Sequence, residues 1–269
     1  MLHPVSLLLS AMVLLGCTVG CSTPGQDRPV PEPEAASVQM ATEGAEEAPE
    51  SPPASQAARL VVIDPGHQAR ANTGKEPVGP GSSAQKMKVS GGTQGVASGV
   101  PEYQLTLTVS CLLRDELEAR GYRVLLTRES HDVDLSNRQR AEMANDAGAD
   151  IFLRIHANGS DNPADNGAMT LCPTANSPYP VGGLYVKCRL LSDCVLDGLV
   201  SGTGCRRERV WETDTMSGLN WCQVPVTLVE MGYMTNPAED AQLNDPAYQA
   251  RIVRGIADGV DRYFSQIEE

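Results

Sequence analysis

Residues 60–63 form an unbroken apolar run, Leu-Val-Val-Ile, closed at once by Asp64-Pro-Gly-His67. A run that short, ended by a Pro-Gly turn, predicts a buried strand rather than a helix. The pattern recurs at residues 151–156, which end on His156, and at 226–230, which end on Glu230. Two further strands are predicted at 122–127 and 168–171. Between the strands the apolar spacing changes to that of a helix. Residues 101–120 place Leu105, Val109, Leu112 and Leu117 on one stripe, with Gly121 as the stop. Ser136 and Gln139 form a capping box for a helix that runs to Ala147 and ends at Gly148. Residues 183–200 carry a helical pattern. Asp245-Pro246 supplies an N-cap and a first-turn proline for a closing helix whose inward positions are Ile252, Ile256, Val260, Phe264 and Ile267. The Gly/Ser/Lys-rich stretch 68–100 is expected to be one long loop.

Strands that alternate with helices predict an α/β domain: a mostly parallel twisted sheet with helices on both faces, as a single catalytic domain over residues 59–269. In such sheets ligands bind beyond the carboxyl ends of the strands. His67, His156 and Glu230 stand at those ends, and Glu102 opens the helix after the long loop.

Residues before 59 follow different rules. Residues 5–15 are apolar over the length of a signal-peptide core, and Leu14-Leu15-Gly16-Cys17 resembles a bacterial lipobox, with Cys21 a poorer second candidate for lipidation. Residues 1–21 are therefore expected to be a lipoprotein-type signal peptide. Residues 22–58 are rich in Pro, Glu, Ala and Ser, hold no aromatic residue, and set seven acidic side chains against Arg28 alone. This composition predicts a disordered acidic tether. The expected location is extracytoplasmic, on a lipid anchor at the outer face of the bacterial cell membrane. A formal charge of −13 argues against nucleic acid as a partner.

A catalytic zinc takes three ligands from His and Asp/Glu and leaves a position for water. His67, Glu102 and His156 fit the ligand roles, and Glu230 fits a base that moves the water's proton to a leaving group. A lone strand-end histidine is more often a hydrogen-bonded structural residue, so the pattern gains its force from all four together.

Those residues also carry a family resemblance. Asp64-Pro-Gly-His67, the helix start at Glu102, Ile155-His156-Ala157-Asn158 and the stretch from Leu228 through Glu230 to Asn236-Pro237 resemble the zinc-dependent N-acetylmuramoyl-L-alanine amidases of the amidase 3 type. The resemblance covers nearly all of residues 60–264. It implies a cell-wall hydrolase cleaving the amide between N-acetylmuramic acid and L-alanine in peptidoglycan. It also implies Zn2+ on His67, Glu102 and His156, with Glu230 as the catalytic carboxylate. A monomer is expected. A zinc peptidase cutting within the stem peptide, or a catalytically silent wall-binding module, are the alternatives. The second fits less well because no presumed ligand is missing. The chain departs from the family after His67, where Gln68-Ala-Arg70-Ala-Asn72 replaces a glycine-rich stretch, and at Arg154, where many relatives have a small residue. Arg154 shares a strand face with His156 and is expected to pair with Glu230, with a stem-peptide carboxylate, or in a structural salt bridge. Asn158 and Asn236 are expected to hydrogen-bond behind the ligands and orient them.

Cys111, Cys172, Cys188, Cys194, Cys205 and Cys222 contain no C-x-x-C pair, and an even count in an exported protein favours disulfides. Cys188 and Cys194 on one helix are about 9 Å apart by rise and cannot join. Cys205–Cys222 is the first pair expected.

Overall fold

The computed structural model describes residues 58–268. The signal segment with Cys17 and Cys21, and the acidic tether up to residue 57, lie outside the described residues. Six strands form the main sheet: β1 (Leu60–Pro65), β4 (Arg123–Leu126), β5 (Ile151–Asn158), β6 (Ala168–Cys172), β7 (Arg207–Glu212) and β8 (Val226–Tyr233). Their order is β4-β1-β5-β8-β6-β7. The first four of these run parallel, β6 is antiparallel to β8, and β7 follows β6 in parallel. The mostly parallel sheet and its covering on both faces agree with the sequence pattern.

One face packs on α1 (Glu102–Ala119), α3 (Tyr185–Thr203) and α6 (Pro246–Glu268). The other carries α2 (Asn137–Asp146) and α4 (Ser217–Asn220), while α5 (Pro237–Leu243) follows β8. Strand alternation sorts β5: Ile151, Leu153 and Ile155 face the α1/α3/α6 core, and Phe152 faces the opposite one. Arg154 and His156 share the side of Phe152. In α1 the buried stripe steps Leu105, Val109, Leu113, Leu117. Leu112, expected on that stripe, is exposed, because steps of four residues hold the face and 112 falls a residue short. Ile267 is likewise exposed, one turn beyond the last buried contact of α6.

Helices α3 and α6 touch backbone to backbone through Gly198, Gly202, Gly255 and Gly259. A Cβ on Gly259 would lie 2.6 Å from the carbonyl oxygen of Cys194, and one on Gly255 would lie 2.6 Å from that of Gly198.

The stretch 68–100 is not a plain loop. It folds into a hairpin of β2 (Asn72–Pro77) and β3 (Gln85–Val89). Its strands lack apolar alternation, so periodicity did not reveal them. Distant side chains hold it instead: Trp221 Nε1 donates to Pro77 O (2.9 Å), Asn220 Nδ2 to Val78 O (2.9 Å) and Asn137 Nδ2 to Lys88 O (2.8 Å).

All six cysteines of the described residues are free thiols. Cys205 packs against the α1/α3/α6 core, whereas Cys222 is buried in the core on the other side of the sheet. The expected Cys205–Cys222 disulfide is thereby corrected: the sheet stands between them.

Candidate metal centre

Strand β1 ends in a turn that three arginines hold from below. Arg128 donates from Nε to Pro65 O (2.9 Å) and from Nη2 to Gly66 O (2.9 Å). Arg140 donates from Nη1 to Asp64 Oδ1 (2.7 Å) and Pro65 O (2.9 Å), and from Nη2 to His67 O (2.9 Å). Arg154 Nε reaches Asp64 Oδ2 at 3.0 Å. Asp64 is fully buried, and although burial alone raises a carboxyl pKa, Arg140 and Arg154 hold this one well below the usual range. Arg128, by burial and by the nearby charge of Arg140, is pushed down to about 10.

His67 pays for its position with a left-handed backbone, φ 59°, the one such non-glycine residue among the described residues. That conformation costs about 1–2 kcal/mol and persists because the turn's carbonyls are all bound. Gly66 must lack a side chain, since a Cβ there would fall 2.6 Å from His156 Nδ1.

The result is a tight donor cluster. His67 Nε2 lies 3.1 Å from Glu102 Oε2, His156 Nδ1 lies 3.1 Å from Glu102 Oε1, and the two ring nitrogens are 3.2 Å apart. These ligand atoms all fall within 4.8 Å of one another. His67 Nδ1 faces Ser90 O at 3.0 Å, which makes Nδ1 the protonated nitrogen and leaves the Nε2 lone pair aimed inward. Glu102 accepts from Thr93 N (2.9 Å) and Ala157 N (3.1 Å), which fixes both carboxylate oxygens.

The donor set fits a zinc ion. Burial, with the charges of His67 and Arg154 adding to it, pushes His156 down to about 4, so its ring is neutral at pH 7. Burial pushes Glu102 upward, but the hydrogen bonds and charges of both histidines outweigh it and keep the group ionised. The neutral ring of His156 and the ionised carboxylate of Glu102 are the deprotonated forms a divalent ion requires, and with His67 Nε2 they converge on one point. His156 Nε2 is buried without a hydrogen-bond partner in the described residues, which suits a ring oriented by its other nitrogen.

Glu230 is the register partner of His156 on the neighbouring strand. Its Oε2 is buried with no partner, and burial, reinforced by the charge of Glu102 and only partly offset by Arg154, raises its pKa well above the ordinary carboxyl value. A carboxyl whose proton affinity is raised in this way is suited to take up a proton and pass it on. With His67, Glu102 and His156 it lines a cleft of about 660 Å³.

The remaining expected residues lie elsewhere in the network. Arg154 pairs with Asp64 and donates from Nη2 to Asn137 Oδ1 (2.6 Å), with no hydrogen bond to Glu230. Asn158 accepts from its neighbour Gly159 N (2.8 Å), and Asn236 caps α5 by accepting from Ala238 N (3.0 Å). Neither side chain hydrogen-bonds to a presumed ligand, because each short amide meets a local backbone N–H; Asn158 nonetheless lines the cleft. Ser90, Thr93 and Ala157 do the orienting through backbone groups. Arg128 and Arg140 were not singled out from sequence. Their signal was two arginines in otherwise buried positions of a strongly acidic chain.

Comparison with known proteins agrees with this geometry. The family model described as N-acetylmuramoyl-L-alanine amidase matches residues 61–262. The amidase LytC of Bacillus subtilis is 27% identical over 169 residues, 63% of this chain but only 32% of LytC, so the match is to about a third of that longer protein. A Mycobacterium tuberculosis N-acetylmuramoyl-L-alanine amidase is 28% identical over 218 residues, 76% of this chain and 88% of its own length. The crystal structure of the amidase Ami1 from Mycobacterium smegmatis superposes with a TM-score of 0.69 at 24% identity, over 77% of this chain and 97% of Ami1. A match that runs from the first strand to the last helix, through every residue of the donor cluster, places the chain in the N-acetylmuramoyl-L-alanine amidase family.

Proposed function

We propose that the chain is a zinc-dependent cell-wall hydrolase that cleaves the amide joining N-acetylmuramic acid to the L-alanine of the peptidoglycan stem. The observation that carries this reading is the convergence of His67, Glu102 and His156 beside Glu230, a half-buried residue whose Oε2 is shut off from water and has no hydrogen-bond partner among the described residues. His67, Glu102 and His156 would hold the metal. A bound zinc supplies Lewis acidity toward the amide carbonyl and makes water a nucleophile near pH 7. Glu230 Oε2 accepts the proton of the attacking water. It then delivers that proton to the amide nitrogen as the C–N bond breaks, so that hydroxyl goes to the lactyl carbonyl carbon and hydrogen to the departing alanine amine. The raised pKa of Glu230 suits both halves of that transfer.

We further propose that the enzyme works outside the cytoplasm as a monomer, tethered through a lipid on Cys17. Among the described residues no helix is long and apolar enough to cross a membrane. End-group analysis of purified peptidoglycan after incubation with the metal-loaded protein tests the activity. New L-alanine amino termini support it. Termini deeper in the stem would reassign the chain to the peptidases, and none at all would make it a silent module.

A further inference from the structure

Two cavities meet at Glu230, and their linings differ in kind. The cleft of about 660 Å³ is walled beyond the donor cluster by Ser90, Thr93, Asn158, Ser160, Asp161 and Thr235, with no lysine or arginine. The second, about 320 Å³, lies beside the hairpin and is walled by Lys86, Met87, Arg154, Met216, Gly218 and Leu228. It shares His67, Ser90, His156 and Glu230 with the cleft. One space offers hydroxyl and amide groups. The other sets apolar walls and two cations beside the polar groups of Ser90, Asn137 and Ser217.

Arg154 is built for an anion in that chamber. Its Nε and Nη2 are committed to Asp64 and Asn137. Its Nη1 lies against Gly218, where no Cβ would fit, and has no hydrogen-bond partner among the described residues. Asp64, the carboxylate that Arg154 uses, is shared with Arg140, so two guanidiniums stand against one acid. The fork is held rigid by its first two bonds, so a carboxylate that reaches Nη1 from the chamber would find little side-chain entropy left to lose. Lys86 Nζ, bound to Thr215 O at 2.6 Å, retains further N–H donors at the same wall.

We infer that the cleft receives the sugar and the hairpin-side chamber receives the peptide arm, with Arg154 Nη1 binding the α-carboxylate of the glutamyl residue that follows the first alanine. The inference rests on the amidase reading and deepens it. Hydroxyl-rich N-acetylmuramic acid suits the first lining. The alanine methyl suits Met87, Met216 and Leu228, and the scissile amide then spans the two spaces beside Glu230. The α-carboxylate matters because peptidoglycans carry it either free or amidated, and Arg154 would distinguish the two.

The test uses the full-length, metal-loaded protein and two compounds, MurNAc-L-Ala-γ-D-Glu-L-Lys and the same molecule with the glutamyl α-carboxylate amidated. The acid is expected to be cut with a kcat/KM at least tenfold higher, and its released peptide to bind at least tenfold tighter than the amidated one by calorimetry. Arg154→Lys keeps a cation for Asp64 but lacks the second arm of the fork, and is expected to reduce that discrimination below threefold. Equal handling of the two compounds by the unaltered protein, or full discrimination in Arg154→Lys, overturns the inference and leaves the amidase reading standing. If neither compound nor peptidoglycan yields L-alanine amino termini, both readings fall together.

Discussion

Asp64 and Arg154 face each other across the β1–β5 ladder as register partners, with Arg154 Nε 3.0 Å from Asp64 Oδ2 and both side chains shut off from water. Asp64 also holds Arg140, so two guanidiniums share one carboxylate at the base of the histidine turn.

Replacing Asp64 with Asn would leave two buried guanidiniums without their anion. Breaking a buried pair of this kind costs roughly 3–5 kcal/mol. Urea unfolding of Asp64→Asn should show that loss at neutral pH, together with weakened zinc binding. A change under about 1 kcal/mol would mean that the arginines are compensated by backbone carbonyls alone.

Glu230→Gln preserves shape while removing the exchangeable proton. It should bind zinc and melt as the parent does, yet lose turnover by about 10²–10⁴-fold, the usual contribution of a positioned acid–base group. Near-parental rates on peptidoglycan would assign the proton transfer to another residue.

Acid sensitivity follows from His156. Its usual value of 6.5 is lowered to about 4 in the fold, so the unfolded chain takes up a proton first as pH falls. The stability associated with a neutral ring is complete above pH 6.5 and is lost as pH drops toward 4. For the metal-free protein the loss is on the order of 3 kcal/mol. Urea titrations at several pH values, compared with His156→Asn, would reveal it as a slope that the variant lacks. Parallel curves would contradict it.

The α3–α6 contact gives a prediction remote from the site. Gly198→Val adds a branched side chain where a Cβ would already lie 2.8 Å from Gly259 N. Overpacking of this kind costs about 1–3 kcal/mol. At about 2–4 °C per kcal/mol for a domain of this size, calorimetry should show a fall of several degrees in Tm. An unchanged Tm would mean that the helices part easily.

Much of this was legible in the residue order. Strand-end polar residues located His67, His156 and Glu230, because a parallel sheet brings its carboxyl ends to one edge whatever lies between them. The capping box at Ser136 and the Asp245-Pro246 start survived because both are local: Gln139 N reaches Ser136 Oγ at 3.2 Å, and Ala247 N reaches Asp245 Oδ1 at 2.7 Å. What escaped depends on distant partners. The hairpin is pinned by Asn137, Asn220 and Trp221, and β7 shows an exposed/half-buried alternation that its charged residues masked. The partners of Asn158 and Asn236 were hidden for a related reason: residue type suggested hydrogen bonding but could not name the partner.

The histidine turn also bears on the timing of assembly. The guanidiniums that seize Pro65 O, Gly66 O and His67 O come from residues 62 to 75 positions later in the chain, and His156 arrives 89 positions after His67. A nascent segment ending before Arg140 would therefore lack the contact that holds His67 O, and one ending before His156 would lack the third donor. A metal held by His67, Glu102 and His156 would find its full ligand set only after the chain has been made through His156.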